Sequence, residues 1–123
     1  MTSARATLSN LRQSPRKVRL VADLVRGKHA EEALVTLQFA DKRAAEPVRK
    51  LIESAIANAK SLSLSIEDLA VDRIEVNEGK ILYRRRPAAR GSAHPIRKRT
   101  SQIFVLLSPK ARTKKVKVTK ETK

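Results

Sequence analysis

The chain has 123 residues, no cysteine, 41% apolar residues and a formal net charge of +16. This length supports one domain with a modest core, and the apolar fraction excludes a wholly disordered polycation. The lack of cysteine excludes a disulfide framework, a thiolate metal site and a thiol nucleophile, and it fits a reducing compartment. No apolar run approaches the length of a membrane span, and residues 1–10 lack the apolar region of a secretory signal. We therefore expect a soluble intracellular protein with no membrane partner.

The first predicted elements are a short strand and a basic helix. Alternating apolar residues favour a strand near residues 7–12. Ser14-Pro15 predicts a helix start, with serine as N-cap and proline at the first helical position, and Gly27 marks the end. At 100° per residue the helix has an apolar face and a basic face. The apolar face is formed by Val18, Val21, Ala22 and Val25. The basic face is formed by Arg16, Arg19 and Arg26, with Asp23 among them. The helix is predicted to pack on one side and to present cations on the other.

Two further helices are predicted in the middle of the chain, at residues 30–39 and 42–61. Apolar residues recur in both at helical spacing. The longer helix also carries opposite charges four residues apart in the pairs Glu46–Lys50 and Arg49–Glu53. Its segment SAIANA, residues 54–59, consists mostly of small side chains. This composition predicts a close approach to a neighbouring element, most simply the sheet.

The second half of the chain is predicted to form strands. Between residues 69 and 76 two alternating apolar pairs are out of phase, which predicts a β-bulge near Asp72. Residues 77–79 favour a turn or kink. The most apolar strand, residues 101–107, is expected at the centre of the sheet.

A long β-hairpin is predicted between these strands, with arms at residues 81–86 and 96–103. Pro87, Gly91 and Pro95 are expected to break the ladder around its tip. Arms of about ten residues would reach roughly 30 Å from the body at ~3.3 Å per residue. The predicted fold class is α+β: three helices packed on a small antiparallel sheet, with a long projecting β-hairpin and a basic C-terminal tail. We expect one domain at residues 1–108, with the hairpin at about 80–102, and a flexible tail at 109–123.

The positive charge is concentrated in the second part of the chain. Residues 1–78 hold 13 basic and 11 acidic residues, whereas residues 79–123 hold 15 basic and one acidic. The segment RRRPAARGSAHPIRKR, residues 84–99, contains seven basic residues and no carboxylate. A smaller basic pole lies in residues 1–30. Because such charge repels itself, the pattern indicates a polyanionic partner.

Sites for catalysis are not apparent in the sequence. The two histidines, His29 and His94, are far apart and lack further ligands at metal spacing, and the three glycines form no phosphate-binding loop. We therefore expect no enzyme activity, no cofactor and no metal. Since only three residues are aromatic, a base-stacking sheet is also disfavoured. The mode of binding that remains is recognition of the nucleic-acid backbone and shape by arginine and lysine.

Several motifs in a fixed order carry a resemblance to a known family: SPRKVRLVADLVRGK (14–28), EAL (32–34), SAIANA (54–59), EG (78–79), RPAARGSA (86–93) and IRKRTSQI (96–103). The chain resembles the bacterial type of the large-subunit ribosomal protein L-twenty-two family over nearly all of residues 5–108. The resemblance implies a cytoplasmic protein of the large ribosomal subunit that binds rRNA and supports assembly. It also implies that the hairpin tip helps line the nascent-peptide exit tunnel and is associated with the macrolide response.

The implied partners are large-subunit rRNA, neighbouring ribosomal proteins and the nascent peptide, and no homo-oligomer is expected. The expected rRNA-binding residues are Arg12, Arg16, Lys17, Arg19, Arg84, Arg85, Arg86, Arg90, Arg97, Lys98 and Arg99. The expected tunnel tip comprises Ala88, Ala89, Arg90, Gly91, Ser92 and Ala93. The alternative is a free RNA- or DNA-binding or chaperone protein outside the ribosome.

The hairpin departs from the common pattern of that family at a few positions. Tyr83 stands where a lysine is frequent, and it either stacks on a base or fills a gap. Ala88, Ser92 and His94 also differ from the residues that are common there. These departures leave open which tip side chains contact RNA.

Overall fold

The computed structural model describes residues 3–110. They form three α-helices and five strands in the order β1 (Ala4–Leu11), α1 (Pro15–Val25), α2 (Ala30–Phe39), α3 (Ala45–Ser61), β2 (Leu69–Glu78), β3 (Leu82–Pro87), β4 (Ala93–Lys98) and β5 (Ser101–Pro109), with short 3-10 turns at Ile66–Asp68 and Ala89–Gly91. The predicted α+β class, with three helices and a projecting hairpin, is confirmed. Of the tail predicted at 109–123, Pro109 still belongs to β5 and pairs with Leu69, and residues 111–123 lie outside the described part of the chain.

The body of the protein contains a three-stranded antiparallel sheet with β5 at its centre, in the order β1-β5-β2. This confirms the predicted central strand. On the β2 side, Val71 pairs with Leu107 and Arg73 with Leu106, so Asp72 has no partner in the register. The predicted bulge is therefore present. It lets Val71, Ile74 and Val76 all be buried although their spacing does not alternate strictly.

The helices cover one face of this sheet and enclose the core. The four apolar residues of α1 that the helical wheel placed together are all fully buried, as are Ile52, Ile103 and Val105. The small residues of segment 54–59 permit the predicted close approach to the sheet. There the side-chain amide of Asn58 donates a hydrogen bond to the carbonyl of Arg5 in β1, with an N···O distance of 2.9 Å. Burial of apolar surface between helices and sheet thus holds the body together.

The helix bounds agree with the sequence for α1 and α2 but differ for α3. Ser14 occupies the N-cap position of α1 without a side-chain cap bond; its carbonyl accepts from the backbone N–H groups of Lys17 and Val18. Helix α3 begins at Ala45, three residues later than predicted, because residues 42–44 form a turn closed by a bond from the Ala45 N–H to the Lys42 carbonyl. The two predicted charge pairs of α3 are confirmed, at 3.6 Å for Glu46–Lys50 and 3.5 Å for Arg49–Glu53.

Strand β1 begins at Ala4, earlier than the predicted residue 7. Ala4 and Ala6 are both buried under α3, and their alternation with exposed Arg5 is a short strand pattern. Alanine is a weak strand former, so its burial in the sheet depends on the partner strand β5 rather than on local preference.

Strands β3 and β4 form a separate two-stranded sheet, and we call residues 80–99 the ribbon. The expectation that prolines break the ladder is wrong: Pro87 pairs with Ala93 and Pro95 with Arg85. In a two-stranded ribbon each strand is an edge, so proline can sit where its missing N–H would face outward. The second arm is also not continuous, because β4 ends at Lys98 and residues from Ser101 belong to the body. Each regular strand has six residues, about 20 Å at ~3.3 Å per residue, instead of ten.

A short joint connects the body to the ribbon. The backbone N–H of Gly79 donates to the carbonyl of Thr100 at 2.9 Å, and the hydroxyl of Thr100 donates to the carbonyl of Lys80 at 2.5 Å. Thr100 is buried, and a Cβ on Gly79 would lie 2.5 Å from its Oγ1. The predicted kink is thus at Gly79, while Asn77 and Glu78 of β2 still pair with β5. Glycine is required because the two chain segments approach so closely.

Candidate nucleic-acid interface

An open cleft of about 700 Å³ lies between the base of the ribbon and the body. Four segments contribute to it: the end of β1, the start of α1, the turn before α3 and the lower part of the ribbon. We call it the basic cleft, because eight of its lining side chains are cationic: Arg12, Lys17, Lys42, Arg43, Arg84, Arg97, Lys98 and Arg99. The remaining lining residues are Gln13, Ser14, Leu20, Ala44 and Leu82, so the lining includes no carboxylate.

The fold brings the two basic poles of the sequence together in this cleft. Arg12 and Lys17 come from the N-terminal pole, and Arg84 and residues 97–99 come from the ribbon. The antiparallel pairing of β1 with β5 places the end of β1, Leu11, opposite Ser101, close to the point where the ribbon leaves the body. A bond of 2.6 Å from the Ser101 hydroxyl to the carbonyl of Gln13 fixes this approach. Cations that are more than 65 residues apart in sequence thereby line one cleft.

Six of the eleven residues predicted to bind rRNA line the basic cleft, and the other five lie elsewhere. Arg16 is exposed on α1, Arg85 and Arg86 are exposed along the ribbon, and Arg90 is exposed at its tip. The guanidinium of Arg19 donates from Nε and Nη2 to the carbonyl of Val76, at 3.3 and 3.2 Å. Arg19 therefore ties α1 to β2 while remaining partly accessible to a partner.

Arg26, the C-cap residue of α1, makes a similar contact about two helical turns beyond Arg19. Its Nη2 donates to the carbonyl of Ile74 at 3.1 Å, and its Nη1 pairs with Asp23 at 2.5 Å. Strand β2 lies at the edge of the sheet, so these arginines satisfy backbone acceptors there. The basic face of α1 thus has a packing role that the sequence did not predict.

Lys42 and Arg43 are cleft residues that sequence reasoning missed. The sequence pattern predicts them at the start of the helix at residues 42–61. The structure places them instead in the turn before α3, where both side chains are exposed and line the cleft. The one local signal is that Lys42 and Arg43 are adjacent cations just before an N-terminal helical turn, a position that favours acidic residues.

The ribbon tip is a compact turn built from small residues. The N–H of Ala88 donates to the carbonyl of Ser92 at 2.8 Å, and the Ser92 hydroxyl donates to the carbonyl of Ala89 at 2.8 Å. Arg90 and Gly91 both have positive φ, at 61° and 69°. All six residues of the predicted tunnel tip belong to this turn or its flanks. The local bonds leave the Arg90 side chain as the one long projection of the tip.

The charge of the ribbon has no internal counterpart among residues 3–110. The salt bridges in this part of the chain, Asp23–Arg26, Glu46–Lys50, Glu53–Arg49 and Glu75–Arg73, all lie in the body. The ribbon itself contains eight basic residues and no acidic residue. Tyr83 is 62% exposed on its surface, so it fills no gap in the core. Such a surface gains stability when an anion approaches it.

Neither a metal-binding cluster nor a membrane-spanning helix is found among the described residues. Within residues 3–110, no three His, Cys, Asp or Glu side chains are close enough together to hold a metal ion. No helix in this range is long and apolar enough to cross a membrane. His29 lies at the start of α2 beside Ala70 in β2, and His94 is exposed on the ribbon opposite Arg86.

Residues 6–108 match the family described as ribosomal protein L22p/L17e. Among the similar relatives is the large ribosomal subunit protein uL22 of Pediococcus pentosaceus, 49% identical over 111 residues that cover 89% of this chain and 94% of the relative. The proteins of the same name from Ligilactobacillus salivarius and Lactobacillus delbrueckii subsp. bulgaricus are also 49% identical, and the matches cover 96% and 93% of their lengths. The chain therefore belongs to the ribosomal protein L22p/L17e family and is a non-enzymatic, structural constituent of the ribosome.

Proposed function

We propose that the chain binds large-subunit rRNA through the basic cleft and the ribbon, supports assembly of the subunit, and places the ribbon tip in the wall of the nascent-peptide exit tunnel. As a member of its family, the chain is a structural constituent of the large subunit of the cytoplasmic ribosome. The observation that carries the proposal is the uncompensated charge of the ribbon and cleft. Only a dense polyanion on several sides neutralises cations that project in this way.

The division of the surface supports rRNA as the main partner. The acidic residues and all four salt bridges of residues 3–110 lie in the body, so the body has surfaces that suit neighbouring proteins. The ribbon offers guanidinium groups, which bind phosphates with two parallel hydrogen bonds. Cations that contact phosphates position the RNA backbone and do not select a nucleotide sequence.

The composition of the tip supports a tunnel-wall role. Alanine, glycine and serine side chains between residues 88 and 93 present little apolar area and few polar groups. A growing peptide of any sequence can pass such a surface without binding to it. Arg90 is the exception, and its charge suits either a phosphate behind the tip or an acidic group of the nascent peptide, which we propose as a further partner. No homo-oligomer is required by this arrangement.

The proposal is tested by shortening the ribbon without disturbing its register. Replacing residues 87–93 with Asn-Gly joins Arg86 to His94, which are already paired, through a favoured two-residue turn. We expect a change of less than about 1 kcal/mol in the unfolding free energy of the free protein, since the tip is remote from the core. The variant should still assemble into large subunits and remain bound to them through a high-salt wash. Macrolide binding and peptide-dependent arrest of translation should nevertheless change.

A matched control separates tip length from tip charge. The substitution Arg90→Ala removes the same cation but retains the full ribbon. If shortening and Arg90→Ala alter tunnel behaviour equally, the charge of the tip is the active feature. Normal incorporation of the shortened protein with unchanged drug binding and arrest would contradict the tunnel-wall role. Failure of the unaltered protein to sediment with the large subunit would contradict the whole proposal.

A further inference from the structure

The basic cleft also has apolar lining residues that phosphate binding does not explain. Leu20, Ala44 and Leu82 line it together with the cations. Leu20 is 59% exposed and lies on a helix whose other face is fully buried. Leu24 lies one turn further along the same helix and is 44% exposed, but it does not line the cleft. Apolar side chains that line a cleft together with cations indicate a ligand with both an anionic and an apolar part.

A nucleotide has these two parts, whereas a bare phosphate or a duplex backbone offers only the first. In an A-form duplex the bases are stacked and paired, so a protein contacts phosphates and 2′-hydroxyls. An unpaired nucleotide presents the apolar face of its base and ribose beside its phosphate. The cleft volume of about 700 Å³ lies within the range of small-molecule pockets, roughly 300–1,000 Å³. It is therefore large enough to admit a base as well as the adjoining backbone.

The side chains of the cleft can hold a base without an aromatic platform. No aromatic residue lines the cleft, so classical stacking on a ring is absent there. Arginine guanidinium planes stack on bases, and Arg84, which shares a face of the ribbon with Leu82, can supply such a flat partner. Leucine then supplies the opposite, apolar surface. The recognition is for an unpaired base of any identity, since apolar contacts and stacking do not read base edges.

We infer that the basic cleft holds an unpaired nucleotide of rRNA, with its base against Leu20 and Leu82 and its flanking phosphates on Lys42, Arg43 and the ribbon base. The inference rests on the proposed rRNA binding and adds the conformation of the RNA that is bound. Lys42 and Arg43 become phosphate ligands that act from the body side. Because the ribbon and the body form opposite walls, a nucleotide in the cleft also fixes the position of the ribbon base relative to the body.

The test uses two probes of the same sequence: a single-stranded RNA of about 12 nucleotides without self-complementarity, and the corresponding duplex. Binding to the full-length protein is measured at approximately physiological ionic strength. Leu20→Gln is compared with Leu24→Gln, since both residues are exposed on α1 and glutamine is a good helix former. We expect Leu20→Gln to weaken single-strand binding about fivefold, as for loss of a partly buried leucine contact, and to change duplex binding less than twofold. Leu24→Gln should change neither.

The phosphate part is tested with the double variant Lys42→Gln/Arg43→Gln against Lys50→Gln/Lys60→Gln on α3. The Lys42→Gln/Arg43→Gln variant should bind both probes more weakly, and its binding should depend less on salt. The Lys50→Gln/Lys60→Gln variant should show smaller changes in both quantities. A probe carrying 4-thiouridine should crosslink to peptides that contain Leu20 or residues 42–44, and Leu20→Gln should reduce that crosslink.

Two results would overturn the inference while leaving rRNA binding intact. One is equal loss of single-strand affinity in Leu20→Gln and Leu24→Gln. The other is equal loss of single-strand and duplex affinity in Leu20→Gln, which would indicate a general change in the surface. If the unaltered protein binds neither RNA more tightly than polyphosphate of equal charge, the proposed rRNA binding fails as well.

Discussion

The body and the ribbon of this protein are held in shape by different forces. The body, residues 3–79 and 100–110, contains every fully buried apolar side chain of the described chain. It carries 14 basic and 11 acidic residues, whereas the ribbon carries eight basic residues and none that are acidic. The body is stabilised by apolar burial, and the ribbon by the backbone bonds of a single ladder. The comparison shows that one short chain can contain a self-sufficient fold and a segment shaped for its partner.

The two regions meet at a small joint, so each can be altered with limited effect on the other. Gly79, Lys80 and Thr100 make the hydrogen bonds of this joint. Substitutions in each region can therefore test whether the body determines stability and the ribbon and cleft determine RNA binding.

The largest contrast is expected in hydrogen exchange of the free protein. Backbone amides of residues 103–107 lie in the central strand, so their exchange requires opening of the core, which costs about 5–15 kcal/mol in typical domains. Amides of residues 84–99 belong to an isolated two-stranded ladder, which is marginally stable in water. We expect the central strand to exchange at least ~1,000-fold more slowly. Equal protection in both segments would contradict the comparison, and added rRNA should protect the ribbon selectively.

The next largest effect is expected from the same side-chain truncation in the two regions. Ile103 is fully buried in β5, and Ile96 is half-buried in β4. Ile103→Ala should lower the unfolding free energy by about 2–5 kcal/mol, through lost burial and a cavity. Ile96→Ala should lower it by less than about 1 kcal/mol. Urea unfolding measures both values, and similar losses would show that the ribbon shares the core of the body.

The joint is tested by adding one carbon atom. Gly79→Ala should destabilise the protein by about 1–3 kcal/mol, because the new Cβ would lie 2.5 Å from the buried hydroxyl of Thr100. The double variant Gly79→Ala/Thr100→Ala removes that hydroxyl and should be destabilised by less than the sum of the single variants. Additive losses in a double-mutant cycle would mean that the close contact does not cause the effect.

The smallest effect is expected from single cations. Arg85→Gln on the ribbon should weaken rRNA-fragment binding by about fivefold and lower the salt slope by roughly 0.7–0.9, the value for one phosphate contact. Arg49→Gln on α3 is the control, since Arg49 already pairs with Glu53 at 3.5 Å. Titration at several salt concentrations measures both slopes. A nearly flat slope for the unaltered protein would contradict electrostatic binding altogether.

The local elements were largely predictable, and the exceptions have physical causes. The bounds of α1 and α2, the bulge at Asp72 and the central place of β5 follow from residue periodicity and turn residues, which act over a few neighbours. The predicted start of α3 is wrong by three residues because residues 42–44 form a turn, closed by the bond from the Ala45 N–H to the Lys42 carbonyl, that helical periodicity does not indicate. The ladder through Pro87 and Pro95 was missed because proline is unfavourable only where its N–H is needed.

The candidate site was predictable in kind but not in shape. The charge pattern alone indicated a polyanion, and the motif order indicated the family. Tertiary structure decided three features of the site: the grouping of Arg12 with residues 97–99, the participation of Lys42 and Arg43, and the place of Leu20 in the lining of the cleft. The physical reason is one of range: periodicity and charge runs report on neighbours in sequence, whereas a cleft is set by strand register. Here the pairing of β1 with β5 and the joint at Gly79 bring four separate segments together around one cleft. Local sequence patterns do not predict that these segments are neighbours.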